Sequence, residues 1–184
     1  MSRLQPSFVL GYHGCDGEVG ERILGGETMV ASVERYDWLG GGVYFWESDP
    51  IRAREWAEWK VGKGDYRTAF VVGAVIDLGN CLDATTRDGA EAIEVAYASL
   101  IDASTTAGSP VPKNVKARRY LDCAVINHLH RLVLDSGESP YDTVRGLFPQ
   151  GERIYRTSGF WRQTHIQIAV ANPGNIKGTF RVKA

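Results

Sequence analysis

The stretch GGGVYFWESDPIRAREWA, residues 40–57, decides the fold prediction. Three consecutive glycines precede the segment 43–46, whose β-branched and aromatic residues are typical of a short buried strand. Without side chains, the glycines let the backbone come close to a ligand or to a neighbouring strand. The Ser-Asp-Pro of 48–50 then supplies a capping residue and a proline at the first helical position, which predicts a helix to about Val61. The stretch therefore predicts a buried turn or strand that leads into a helix.

Further strands and helices are predicted on both sides of this stretch. β-branched and alternating apolar residues predict strands, whereas apolar residues three and four positions apart, without internal glycine or proline, predict helices. The predicted strands are 7–12, 68–78, 164–171 and 175–182, and the predicted helices are 89–103 and 115–134. The chain thus begins and ends in strands and has a helical middle.

The composition favours one soluble domain over residues 1–184. Hydrophobic residues make up 43% of the 184 residues, enough for a core, and a net charge of −1 gives no overall attraction to nucleic acid or membranes. No signal peptide or membrane span is apparent, and Cys15, Cys81 and Cys123 are odd in number and far apart, which fits reduced thiols better than a disulfide framework. A cytoplasmic protein, or one delivered to a target cytoplasm, is therefore expected. Neither CxxC nor HExxH occurs, so no zinc site is predicted.

Three segments place unusual polar or aromatic residues at the end or in the middle of a strand. These segments are GYHG at 11–14, the 40–57 stretch and THIQIAV at 164–170. Together they resemble the ADP-ribosyltransferase superfamily, most closely its diphtheria-toxin and poly(ADP-ribose) polymerase branch. That branch has a strand-end His-Gly, a Gly-x-Gly-Ile-Tyr-Phe-like segment running into a helix, and a glutamate on a late strand, in the same order.

The resemblance implies a fold, a substrate and a set of site residues. The fold would be α+β, with split antiparallel sheets, peripheral helices, and NAD bound as substrate between the sheets without a metal. His13 would hydrogen-bond a ribose, Gly14 would offer backbone groups to the nicotinamide amide, and Tyr44 would stack on nicotinamide. The catalytic glutamate position falls on Gln167.

Gln167 is the informative departure from the family pattern. A carboxamide can still bind the ribose 2′-hydroxyl, but it cannot offset the positive charge of an oxocarbenium-like transition state, and losing such a preorganised group costs about 3 to 4 kcal/mol of barrier elsewhere. Glu47 is a candidate replacement acid, although a surface contact or helix electrostatics is the more ordinary role. By resemblance, the His-Tyr-Gln pattern favours transfer of a single ADP-ribose over chain elongation.

The predicted function is mono-ADP-ribosylation of a macromolecule, either protein or nucleic acid, by a bacterial toxin, effector or defence enzyme. Such an enzyme could have an antitoxin or immunity protein as partner, and no membrane partner is expected. Two alternatives remain open. Water could be the acceptor, which would make the protein an NAD glycohydrolase, or the chain could bind NAD or ADP-ribose without cleaving it.

Several other residues have both a functional and an ordinary interpretation. His165 shares a strand face with Gln167, so a cleft position is possible. The five tryptophans are assigned to packing, His128 and His130 point apart on a helix, and Cys15 has no identifiable base. Basic residues in 113–119 and 153–162, and Arg145, could receive phosphates or a nucleic acid, or could simply face solvent.

Overall fold

The computed structural model describes residues 7–116 and 118–183, and within them seven strands form a single mixed sheet. In chain order the strands are β1 (Phe8–Asp16), β2 (Val43–Glu47), β3 (Ala69–Asp77), β4 (Cys81–Asp83), β5 (Thr143–Phe148), β6 (His165–Val170) and β7 (Ile176–Arg181). The helices are α1 (Gly17–Leu24), α2 (Pro50–Gly62), α3 (Arg87–Ala107) and α4 (Tyr120–Asp135), with a 3₁₀ turn at Pro173–Asn175. The strand order across the sheet is β4-β5-β6-β2-β1-β3-β7.

The predicted α+β class is confirmed, but the predicted split pair of antiparallel sheets is not what the structure shows. The strands form one continuous sheet, and it is mixed because β4 and β5 run parallel. A parallel pair requires a crossover connection, and here α3 and α4 lie in the chain between the two strands.

The sheet is nevertheless almost divided between β1 and β2. These strands pair only at Gly11 with Glu47 and at Tyr12 with Trp46, whereas β3 pairs with β1 along its whole length. Beyond Tyr12 the two strands separate. The result is a four-stranded half and a three-stranded half joined at a narrow junction.

The strand followed by a helix at 40–57 forms as the sequence predicts. β2 ends at Glu47, the Asp49 side chain accepts a hydrogen bond from the Arg52 backbone N–H at 2.9 Å, and α2 begins at Pro50. The cap pairs one free N–H of the first turn and the proline removes another, so both local signals favour a helix start here.

Side chains on both faces of the sheet form the core. One face is covered by α1 and packs Phe45, Val72, Ile76 and Ile168 together with little or no solvent exposure. On the other face, α3 and α4 cover the four-stranded half, while α2 covers the region around Trp46. In the part of the chain that the structure describes, no helix is both long enough and apolar enough to cross a membrane.

Candidate functional site

A cleft of about 440 Å³ opens where β1 and β2 separate, a size within the usual range of small-molecule sites. Its walls come from the ends of β1, β2, β5 and β6, from α2, and from the loop between α1 and β2. The four residues singled out in the sequence all line this one cleft: His13, Gly14, Tyr44 and Gln167. The fold therefore brings together residues that lie far apart in the chain.

His13 spans the gap between the separating strands. Its Nδ1 lies 2.8 Å from the backbone oxygen of Tyr44. A carbonyl oxygen can only accept, so Nδ1 carries the proton and donates it, which leaves Nε2 as an acceptor. Burial lowers the pKa of His13, so the ring is neutral near pH 7. The imidazole thus replaces a missing backbone ladder bond and offers a lone pair to a hydroxyl donor.

The backbone of Gly14 faces the gap that β2 leaves. Hydrogen bonds from Leu78 N–H to the Ser7 oxygen (2.9 Å) and from Gly17 N–H to the Thr68 oxygen (3.1 Å) show that the odd-numbered residues of β1 bond to β3. Even-numbered residues point the opposite way because successive residues of an antiparallel strand alternate. The N–H and C=O of Gly14 therefore point toward the side on which β2 no longer pairs with β1, where a ligand amide could bind them.

The Tyr44 ring is held in place by its own hydroxyl group. This hydroxyl donates to the Gly40 oxygen and accepts from the Leu39 backbone N–H, both at 2.9 Å. Burial is the largest cause of a strongly raised pKa of the Tyr44 hydroxyl. The phenol therefore stays neutral and is occupied by the backbone, which suits a fixed packing surface better than a proton-transfer group.

Gln167 is oriented by Trp38, a residue that the sequence interpretation assigned to packing. The indole N–H of Trp38 donates to the Oε1 atom of Gln167 at 2.6 Å. An indole N–H cannot accept, so the amide oxygen must face it, and the NH₂ group is the part left for a ligand. Trp38 is thus a site residue whose role no sequence signal identified, although it lies directly before the Leu-Gly-Gly-Gly run.

Aromatic rings continue the wall from Gln167 toward α2. Trp38 contacts Phe148 with ring centroids 5.1 Å apart, and Phe148 stacks on His165 at 5.6 Å with planes inclined by 25°. Trp46 follows at 6.3 Å from His165 and contacts Trp56 at 6.0 Å. Of these rings, only His165 is a cleft candidate from the sequence, because strand alternation places it on the same face as Gln167. The other ring contacts join different elements, which sequence alternation does not predict.

His165 lies deep in this wall and is only 6% exposed. Its Nδ1 lies 2.7 Å from the Gln163 backbone oxygen, so Nε2 is again an acceptor. Burial is the main cause of its lowered pKa, and the nearby charge of Arg52 acts in the same direction. Two neutral imidazoles therefore border the cleft.

Two guanidinium groups, those of Arg52 and Arg119, line the cleft together with Lys60 and the acidic residues Glu34 and Asp37. Arg52 forms an ion pair with Glu55 and donates to the Gln150 side chain at 2.8 Å, while Arg119 lies over the Phe148 ring at 5.5 Å. The Nε–H groups of both arginines and the indole N–H of Trp46 are buried without a hydrogen-bond partner. Unpaired buried donors are costly, but these three atoms have almost no accessible surface and so do not form part of the wall that a ligand could contact.

Other candidates from the sequence lie elsewhere. Both carboxylate oxygens of Glu47 bind Arg145, at 2.6 and 3.0 Å, and Arg145 also reaches Asp83 at 3.0 Å. This network links β2, β4 and β5, and neither residue lines the cleft. Glu47 therefore does not fit the role of a replacement acid, and Arg145 does not fit the role of a phosphate-binding residue. Burial raises the pKa of the Cys15 thiol to about 11, which removes it as a nucleophile.

Comparison of the chain with protein-family models, with curated proteins and with solved structures finds no match. The site is therefore interpreted from its own residues and from the resemblance in the three segments. Groups of three or more potential metal ligands are absent from residues 7–116 and 118–183.

Proposed function

We propose that the protein is a mono-ADP-ribosyltransferase that takes NAD as substrate. One observation carries this proposal: His13, Tyr44 and Gln167 line the same cleft although they come from different strands and distant parts of the chain. They are the positions at which the family resemblance expects the ribose, the nicotinamide and the anomeric carbon. Neither composition nor hydrophobic pattern requires these three side chains to meet.

The hydrogen-bonding groups in the cleft complement the groups of NAD. The Nε2 atom of His13 can accept from a ribose hydroxyl, and the backbone N–H and C=O of Gly14 can pair with the two ends of the nicotinamide carboxamide. The fixed ring of Tyr44 supplies a stacking surface. The diphosphate would lie near Arg52 and Arg119, whose side chains line the cleft and whose guanidinium groups suit phosphate oxygens.

The proposed reaction breaks the bond between nicotinamide and ribose. Its electron pair goes to the nicotinamide nitrogen, which leaves neutral, while a lone pair of the acceptor bonds to the anomeric carbon. The proton of the acceptor passes to solvent. The amide NH₂ of Gln167 can donate to a ribose hydroxyl oxygen and so orient the sugar, but it brings no negative charge to the developing cation.

Binding without cleavage is the second candidate, and the surroundings of Gln167 favour it. Glu47 is held by Arg145 outside the cleft and does not replace the missing charge. A cleft with correct binding groups and a neutral residue at the catalytic position is the arrangement expected of a nucleotide-binding module. Hydrolysis by water is a third outcome that uses the same site.

Incubating the pure protein with NAD separates these functions. Nicotinamide release without added target indicates hydrolysis, release only with lysate indicates transfer, and NAD binding without release indicates a binding module. We expect His13→Ala and Tyr44→Ala each to lower release by about 100-fold or more, the range seen when a preorganised transition-state contact is removed. His128→Ala, on α4 and outside the cleft lining, is the matched control and should keep the parent rate.

Gln167→Glu tests the position of this side chain directly. A carboxylate can still accept from the Trp38 indole, so the side chain should keep its orientation while gaining a negative charge. We expect nicotinamide release to rise. Unchanged release together with unchanged NAD affinity would place residue 167 away from the ribose and contradict the proposal.

A further inference from the structure

Between β5 and β6 the chain forms a short ribbon, residues 150–163. Backbone hydrogen bonds of 2.8 to 3.2 Å join residues 150–154 to residues 160–163, and Arg153 pairs with Trp161 across the ribbon. Arg153 also donates to the Ser158 backbone oxygen, which closes the tip. The ribbon is therefore an ordered projection rather than a loose connection.

The ribbon exposes aromatic rings and positive charge together. Tyr155 is 60% exposed and Phe160 is 66% exposed, the two largest exposed fractions among the aromatic residues that the structure describes. The Arg153 guanidinium lies over the Trp161 ring at 4.7 Å, and Arg156 and Arg162 add exposed charge. With Glu152 as its single acidic residue, the ribbon carries a net charge of +2.

This ribbon borders the cleft. Gln150 at its base lines the cleft and binds Arg52, and the strand that follows the ribbon carries His165 and Gln167. The base of the ribbon therefore adjoins the cleft in which the anomeric carbon is expected.

A second basic segment borders the cleft on the α4 side. Residues 109–119 contain four basic residues and no acidic one, in a protein whose net charge is −1. Arg119 lines the cleft, and Arg118 lies 5.9 Å from the ring of Tyr36, which lines it too. The ribbon and this segment together have a net charge of +6, so the rest of the chain has a net charge of −7. Two segments of net positive charge thus adjoin the cleft, whose own lining also contains the acidic residues Glu34 and Asp37.

Building on the proposed function, we propose that the acceptor is a single-stranded nucleic acid that lies along this ribbon. Exposed aromatic rings stack on bases and arginines pair with phosphates, the combination that binds single strands without sequence preference. A duplex keeps its bases stacked on one another, so its base faces cannot cover Tyr155 and Phe160. The nucleophile is then a nucleotide oxygen or nitrogen, which bonds to the anomeric carbon as nicotinamide leaves and loses its proton to solvent.

The test measures binding of a single-stranded oligonucleotide of about 12 nucleotides, fluorescein-labelled and of mixed sequence, to the whole protein without NAD. We expect anisotropy to report binding that weakens steeply between about 50 and about 200 mM salt. The double variant Tyr155→Ser with Phe160→Ser should weaken it by roughly 10-fold or more, because both base–aromatic stacks are lost. Tyr97→Ser, an exposed tyrosine on α3, is the matched control and should bind like the parent.

Oligonucleotide binding that is absent, or that is unaffected by the double variant, would overturn this inference. Equal binding of a poly-glutamate peptide, with the same dependence on Tyr155 and Phe160, would also overturn it in favour of an acidic protein. NAD binding is measured separately on the same samples. Binding of NAD but not of the oligonucleotide refutes the nucleic-acid surface alone, whereas the reverse result refutes the proposed NAD chemistry and leaves the surface standing.

Discussion

At the scale of single residues, two hydrogen bonds set the polarity of the cleft. The bond from His13 Nδ1 to the Tyr44 oxygen makes Nε2 an acceptor, and the bond from Trp38 to Gln167 leaves the amide NH₂ as a donor. A ligand must therefore donate to one side and accept from the other, as ribose hydroxyls do. The sequence predicted His13 and Gln167 as site residues, but their donor and acceptor roles depend on neighbours that only the fold supplies.

Removing the Trp38 donor should leave the Gln167 side chain less well oriented while NAD can still bind in the cleft. We expect Trp38→Phe to lower the rate of nicotinamide release at saturating NAD by about 10-fold or more, because small misplacements of an orienting group are costly. The KM for NAD should change less, since Trp38 positions a group that orients the ribose. Steady-state kinetics with kcat and KM determined separately check this prediction.

Trp59→Phe is the control for that substitution. Trp59 is half exposed on α2 and lies outside the cleft lining. If both variants lost activity equally, or if Trp38→Phe changed only KM, the positioning role of Trp38 would have to be abandoned.

At the scale of secondary-structure elements, the separation of β1 from β2 creates the site. β1 continues to Asp16 alongside β3, while its pairing with β2 stops at Tyr12. Helix α2 then packs closely against the end of β1. A Cβ atom added at Gly14 would lie 2.2 Å from the backbone oxygen of Ala53. The glycine of the His-Gly pair is therefore required by helix packing as well as by its proposed contact with nicotinamide.

Gly14→Ala should consequently reduce stability even without ligand. The clash is with helix backbone, which cannot swing away like a side chain, so we expect a loss of about 1–3 kcal/mol in the free energy of unfolding. Urea denaturation followed by circular dichroism measures it. Gly178→Ala in β7, where an added Cβ meets nothing within 4 Å, should stay within about 0.5 kcal/mol of the parent. Indistinguishable midpoints for the two variants would contradict the packing argument.

Elements with a strong local sequence signal were predictable, whereas β4 and β5 were not. Local signals predict the strand over 69–77, through a run of β-branched residues, and the helix from Pro50, through a cap followed by proline. β4 has only three residues, and neither β4 nor β5, which contains Arg145, is among the strands predicted from the sequence. Each is stabilised by pairing with the other and, for β5, with β6, so the signal for these strands lies in distant parts of the chain.

At the scale of the whole molecule, burial of histidines links folding to pH. The pKa values of all four histidines are lowered, with burial as the largest cause in each case: His13, His128, His130 and His165. In the unfolded chain these rings titrate near pH 6.5, so below that value the unfolded state binds more protons than the folded state. The stabilisation is therefore complete above about pH 6.5 and is lost as the pH falls toward the folded-state values.

We expect the free energy of unfolding to decrease as the pH falls from about 6.5 to about 5.5, by up to about 1.4 kcal/mol per pH unit for each deeply buried histidine. Denaturant titrations at several pH values check this. His165→Gln removes one of these groups and should make the dependence shallower. A stability that is flat or rises on acidification in this range would contradict the burial of neutral imidazoles.

By itself, the sequence determined the local features: the strand leading into a capped helix at 40–57, the main strands and helices, the α+β class, and the candidates His13, Gly14, Tyr44 and Gln167. These features follow from backbone preferences and side-chain alternation over a few residues. The tertiary structure alone decided that the strands form one nearly divided sheet, that Trp38 holds Gln167, and that Arg145 keeps Glu47 away from the cleft. Such contacts join residues far apart in the chain, and their geometry is set by packing of the whole molecule rather than by local preference.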